Sequence, residues 1–162
     1  QKAQKAIEAG ECPAEAVPEL KSVMEAVKKQ FADISKENVG VGSTIFAVKP
    51  GDGSAREQAA SCQKALGGWA NIAKEYATKR YRSNLINWGM LPFVIDKDFD
   101  FDNDDYVFIP GIKDAVKNKT EVIKAYVVNK DFAEIELRLG ELTDDERQII
   151  TDGCLINYYK YN

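Results

Sequence analysis

The chain contains no histidine. That removes the serine–histidine and cysteine–histidine nucleophile pairs and the commonest metal ligand, so any acid–base chemistry falls to another group. Cysteine is scarce too. Cys12, Cys62 and Cys154 lie far apart and form no CxxC pair, which suggests neither a disulfide framework nor a zinc site. A reducing, cytoplasmic setting is the simplest expectation. No apolar run approaches the roughly 20 residues that cross a bilayer, and no secretory signal is visible. The formal net charge is −4. Nucleic acid is disfavoured as a partner, because phosphate binding needs a basic face. A small anion needs only one or two well-placed arginines.

What is present suffices for a packed core: 162 residues, 44% hydrophobic and 30% charged, the size of one ordinary domain. The chain opens at Gln1 directly into helical sequence, and reads as a fragment or excised domain. From Ala14 to about Ile34, Val17, Leu20, Met24, Val27 and Phe31 recur at helical spacing, with Pro18 early, where a first-turn proline is tolerated. Gly40 and Gly42 break that pattern, and Thr44–Val48 reads as a buried strand. Pro50-Gly51-Asp52-Gly53 is a turn. Ser54 then stands as a plausible N-cap for a helix running to Leu66, with Glu57 completing a capping box and Gly67-Gly68 ending it.

Further on, Trp69–Ala73 and Leu91–Ile95 read as strands, and Glu75–Asn87 as a helix carrying Lys79, Arg80 and Arg82. Residues 96–105 form an acidic loop. Tyr106–Ile109 is a short strand, and Glu121–Val128 with Phe132–Leu139 makes a hairpin. Thr143–Tyr158 closes the chain as an amphipathic helix, with a capping box at Thr143 and Glu146. Interspersed helices and strands with a late hairpin predict a layered α/β or α+β domain.

The informative stretch is Gly51 to Ala60, where a strand enters a glycine turn and then a helix. Glycines permit close backbone approach. The first helical amides lack partners and carry the positive end of the helix dipole, which is the physics of an anion site. Arg56 in the first turn adds a bidentate clamp for a carboxylate. The same pattern also serves as a plain helix start in many proteins, and the residues alone leave both readings open.

Gly51-Asp52-Gly53-Ser54-Ala55-Arg56-Glu57-Gln58-Ala59-Ala60 resembles the aconitase-family signature Gly-x-Gly-Ser-x-Arg-Glu. Asn84-Leu85 followed by Gly89-Met90-Leu91-Pro92 is similar to a second family segment, Asn-Leu…Gly-x-Leu-Pro. Ile109–Ile112 and Asp152–Asn157 add weaker support, so the likeness covers about residues 40–158. It implies an aconitase-type swivelling β/β/α three-layer domain over 40–162, preceded by an N-terminal helical segment over 1–39. It implies a hydro-lyase that reversibly removes and adds water on a hydroxy di- or tricarboxylic acid. The partners would be that acid and the remaining domains of the parent enzyme, which hold a 4Fe–4S cluster that this chain does not bind. Ser54 would be the catalytic base. Arg56 would bind substrate and steady the serine oxyanion, with Gly53 and Ala55 beside it.

Two positions depart from the pattern. Aconitases proper carry a second serine where this chain has Ala55, and a histidine where it has Gln58. Loss of a polar contact can discriminate strongly between substrates, so an acid other than citrate is expected. Alternative readings are the small subunit of an isopropylmalate isomerase-like enzyme, or a non-catalytic anion-binding module of the same fold. Of the other candidates, Lys79, Arg80 and Arg82 read as a solvated helix face, and Asn84 as a turn cap or backbone support. Cys62 reads as a small core residue. The aspartates from Asp98 to Asp105 read as a solvated loop without calcium-site spacing. Trp69 and Trp88 read as core or domain-interface residues.

Overall fold

A computed structural model describes residues 5, 9, 17–35 and 38–161. Cys12 and the start of the predicted first helix lie outside the described residues. Helix α1 spans Glu19–Gln30 and buries Leu20 and Val27 two turns apart. It is shorter than the spacing predicted. Pro18 takes the N-cap place and Phe31 leaves helical geometry at φ −125°, turning its ring onto Phe108 and Tyr126 at 5.0 and 5.5 Å between centroids.

Strand β1 (Ser43–Ala47), helix α2 (Arg56–Ala65), strand β2 (Gly68–Ala73), helix α3 (Lys79–Asn87) and strand β3 (Leu91–Val94) follow in turn. The three strands are parallel in the order β1-β2-β3, with a helix as each crossover, as parallel pairing requires. The central strand buries Asn71, Ile72 and Ala73 in a row, the pattern of a strand covered on both faces. β1, expected to be buried, is instead an exposed edge, with Ile45 and Phe46 about two-fifths exposed, because only β2 pairs with it.

The second half is an antiparallel meander of β4 (Val107–Phe108), β5 (Ile123–Val127) and β6 (Ala133–Leu137). Along β5, Ile123, Ala125 and Val127 are buried while Lys124 faces out to pair with Glu134 at 3.0 Å, the two-residue period of a half-covered strand. The predicted hairpin is therefore present. Val94 and Arg138 exchange two backbone hydrogen bonds of 2.7 and 2.9 Å, which join the end of β3 to the end of β6. One core unites the sheets: Ile72, Phe93 and Ile95 meet Ile123, Ala125, Val127, Ile135, Leu137 and Leu139. A smaller cluster of Ala60, Tyr81, Leu85 and Met90 packs beneath α2 and α3.

Other expectations change as well. A six-residue helix α4 (Ile112–Lys117) follows Gly111, which is left-handed at φ 62°; one and a half turns are too short to show a period in sequence. Helix α3 starts at Lys79, not Glu75, because Thr78 caps it by accepting the Tyr81 amide at 3.2 Å. The closing helix is two, α5 (Asp144–Asp152) and α6 (Leu155–Tyr161), parted at Gly153 with φ 91°. The Thr143–Glu146 capping box is formed, with bonds of 3.2 and 2.8 Å. The result is a mixed α/β domain.

Candidate functional site

Where β1 and β2 leave the sheet, their chains continue side by side. The Glu75 amide donates to the Val48 carbonyl at 3.1 Å and the Ala77 amide to the Pro50 carbonyl at 2.9 Å. The Thr78 hydroxyl donates to the Gly51 carbonyl at 3.0 Å. These bonds lay residues 48–51 along 75–78, beyond the carboxyl ends of parallel strands, the usual place for a ligand in open α/β sheets. Gly51 has φ 97°, and a Cβ built on it falls onto the Tyr81 side chain, 2.5 Å from its Cβ. Only glycine satisfies both the dihedral and the approach. Gly53 has nothing within 4 Å of such a Cβ and lies open.

The expected capping box at Ser54 is absent. Ala55 occupies the N-cap place of α2 at φ −90°, ψ 50°, and no side chain caps the helix. The neighbouring side chains are engaged elsewhere. Glu57 is drawn sideways, its carboxylate accepting the Trp88 indole N–H at 3.0 Å. Arg56 turns back, its Nε donating to the Gly51 carbonyl at 3.2 Å. The Ser54 hydroxyl is left exposed and makes no hydrogen bond among the described residues. Ser54 thus stands before the uncapped amides of a ten-residue helix, where partial positive charge gathers. Arg56 is half-buried, and its two terminal amino groups make no bond or ion pair with the described residues. Gly53, Ser54, Ala55 and Arg56 are therefore together on one exposed knuckle.

Other sequence candidates divide. Lys79 and Arg80 are exposed. Arg82 is not a solvated residue. It reaches across to donate to the Leu139 and Glu141 carbonyls at 2.7 and 2.8 Å, which ties α3 to the chain leaving β6. Asn84 holds its turn through its backbone carbonyl, which takes the Trp88 amide at 3.2 Å. Trp88 packs against the smaller core cluster, and the Trp69 ring covers Gly40 and Gly42. Cys62 is exposed, not a core residue, because the buried side of α2 is Ala60 and two helical steps face away from it. Thr78 and the Tyr81 floor under Gly51 were missed by sequence reading; a threonine ahead of a helical run was the available signal.

The acidic loop is organised around Lys130. Its ammonium pairs with Asp102 and Asp105 at 2.8 and 3.2 Å, bonds the Asp100 carbonyl, and lies 5.5 Å from the Phe99 ring centre. Burial pushes the Asp105 carboxyl up, but the Asp102 amide, the Asn129 side chain and Lys130 outweigh it and hold the group below its usual range. A lysine thus fills the centre that a cation would take.

Residues 4–98 match the family model of the aconitase C-terminal domain. The chain belongs to that family. It is 30% identical over 155 residues to aconitate hydratase A of Rickettsia bellii, covering 90% of this chain but 17% of that protein. It is 34% identical over 138 residues to the methanogen homoaconitase small subunit of Methanothermobacter thermautotrophicus, covering 85% of this chain and 70% of the relative. The homoaconitase small subunit of Thermus thermophilus is 30% identical over 128 residues, 72% and 63% of the two chains.

Proposed function

We propose that this chain supplies the base and the substrate-binding arginine of an aconitase-family hydro-lyase acting on a hydroxy di- or tricarboxylic acid, with residues 40–162 as the domain that carries them. The observation that carries this reading is the uncapped serine: Ser54 exposed before the free amides of α2, with Arg56 one turn-step away. A serine hydroxyl is ordinarily too weak an acid to exist as an alkoxide near neutral pH. Aimed amides and a guanidinium lower that cost where charge develops. The alkoxide of Ser54 takes the proton from the carbon beside a carboxylate and becomes the neutral hydroxyl. The electron pair of that C–H bond enters a carbon–carbon double bond as the neighbouring hydroxyl departs as hydroxide, which becomes water on taking a proton from an acid that the remaining domains would supply. Arg56 holds a carboxylate through its free fork, while Gly53 and Ala55 let substrate approach the backbone. Alanine at position 55 offers no hydroxyl donor, which favours an acid other than citrate.

Family membership suggests a 4Fe–4S cluster in the complete enzyme. Among the described residues no group of three or more cysteine, histidine, aspartate or glutamate side chains is arranged to hold a metal ion. The described residues do not fit the cluster, and in this reading it belongs to other domains. The serine knuckle is one-sided, which suits a site completed by those domains or by a large subunit. The likeness to two homoaconitase small subunits favours the separate-subunit arrangement as a second reading; the size of the parent polypeptide, measured by intact mass, separates the two.

The test is solvent deuterium exchange into a panel of hydroxy acids, catalysed by the complete parent enzyme with its cluster reconstituted. Ser54→Ala is expected to lower exchange by about 10²–10⁴-fold while acid binding persists. Equal exchange in both proteins removes the serine-base assignment, and binding without exchange in either points to the non-catalytic module.

A further inference from the structure

The Gly51 carbonyl is the acceptor on which the serine loop hangs. It takes two donors, the Thr78 hydroxyl at 3.0 Å and Arg56 Nε at 3.2 Å, which fills both lone pairs. The Thr78 hydroxyl is used twice as well. It gives its proton to Gly51 and accepts the Tyr81 amide at 3.2 Å as the cap of α3. The Tyr81 ring then forms the floor against which Gly51 lies. One hydroxyl therefore links the first turn of α3, the glycine turn and the pivot of Arg56.

We propose that Thr78 is a positioning residue of the serine site, acting through the Gly51 carbonyl to aim Arg56 and the Gly53–Ser54 segment; this rests on the serine-base reading above. Thr78 does not touch Ser54. It fixes the orientation of the Gly51 peptide, three residues upstream, at a glycine whose own backbone resists rotation least. Arg56 Nε follows that carbonyl, and the free fork follows Nε. Without the hydroxyl, the Gly51 carbonyl keeps one donor and the peptide is free to swing. A displacement of about 1 Å at a reacting group is enough to cost roughly 10²-fold in rate.

The experiment compares Thr78→Val, Thr78→Ser and Thr143→Val in the complete parent enzyme. Valine keeps the shape of threonine without its hydroxyl. Serine keeps both hydrogen bonds. Thr143→Val removes a comparable helix cap on α5 and serves as the control for loss of a cap alone. In the deuterium-exchange assay Thr78→Val is expected to raise KM and lower kcat, cutting kcat/KM by about 10–100-fold. Thr78→Ser and Thr143→Val are expected to stay near wild type. In an Arg56→Gln background, Thr78→Val should cost less than it does in wild type, because part of its effect runs through Arg56. Equal kcat/KM for Thr78→Val and Thr143→Val, or losses that simply multiply with Arg56→Gln, would overturn the proposal. A second readout needs no turnover: hydrogen exchange of the Ala77 amide, which bonds Pro50 across the loops. It should quicken about tenfold or more in Thr78→Val, with Thr78→Ser unchanged, and equal rates in both variants overturn the coupling. Failure of the serine-base reading shows separately, as exchange surviving Ser54→Ala, and leaves the amide comparison to decide for Thr78.

Discussion

The two glycines of the Gly51–Ser54 turn are expected to respond oppositely to the same methyl group. At Gly51 an alanine side chain meets the Tyr81 Cβ and ring, and the backbone stands at φ 97°. Holding an L-residue in that region costs about 1–2 kcal/mol. Forcing a methyl into an occupied site adds about 1–3 kcal/mol. Tyr81 is 2% exposed and has no room to withdraw. Gly51→Ala should therefore lose roughly 2–5 kcal/mol, which for a domain of this size lowers Tm by roughly 5–15 °C. At Gly53 the same methyl meets nothing within 4 Å and the residue carries no positive φ, so stability should hold within about 0.5 kcal/mol. Its cost should appear in binding, where the added methyl obstructs a ligand approaching the Gly53 backbone, with affinity for the acid falling about tenfold or more, or at least 1.4 kcal/mol. Chemical denaturation and calorimetric binding of both variants provide the assay. A Gly51→Ala protein as stable as wild type refutes the packing argument. A Gly53→Ala protein with normal stability and normal affinity refutes the placement of ligand over that residue.

Two further perturbations probe the frame around the site. The Asp105 carboxyl is held below its ordinary pKa, so its contribution is complete above about pH 4 and is lost as pH falls through the depressed folded value. Asp105→Asn should flatten this acid limb in denaturation measured from pH 7 to 2 and lower stability at neutral pH by about 1–3 kcal/mol; an unchanged limb removes Asp105 as its source. Arg82→Met should cost roughly 2–4 kcal/mol, because two charge-assisted bonds to Leu139 and Glu141 are lost; a Tm within a degree of wild type places Arg82 back among solvated side chains.

Local signals made most of the fold legible in sequence. The strand–turn–helix around Gly51, the two-residue period of β5 and the Thr143–Glu146 box are all decided within a few residues. The errors share the opposite origin. Ser54-x-x-Glu57 is the same string whether or not the serine caps. In the fold the N-cap place falls to Ala55, and Glu57 bonds Trp88, 31 residues away. Residues 75–78 read as helical in sequence, but bonds to Val48, Pro50 and Gly51 hold them outside the helix, a case of tertiary contacts overriding propensity. Arg82 finds acceptors 57 and 59 residues on, and nothing in its neighbourhood announces them.

Those long-range contacts bear directly on chemistry. If Ser54 capped α2, its oxygen would spend a lone pair on a helix amide and its direction would be fixed along the helix axis. Because Ala55 sits there instead, the serine oxygen and the helix amides are separate groups that can converge on one ligand. No side chain caps those amides, while Glu57 is engaged by Trp88 and Arg56 Nε by Gly51. On the proposed reading, Trp88→Phe, which releases the Glu57 carboxylate, would act on the site without touching it, by leaving an acidic group unengaged beside the place where the anion would bind. On that reading, the anion site is shaped as much by the partners that hold Glu57 and Arg56 Nε elsewhere as by what stands at the head of α2.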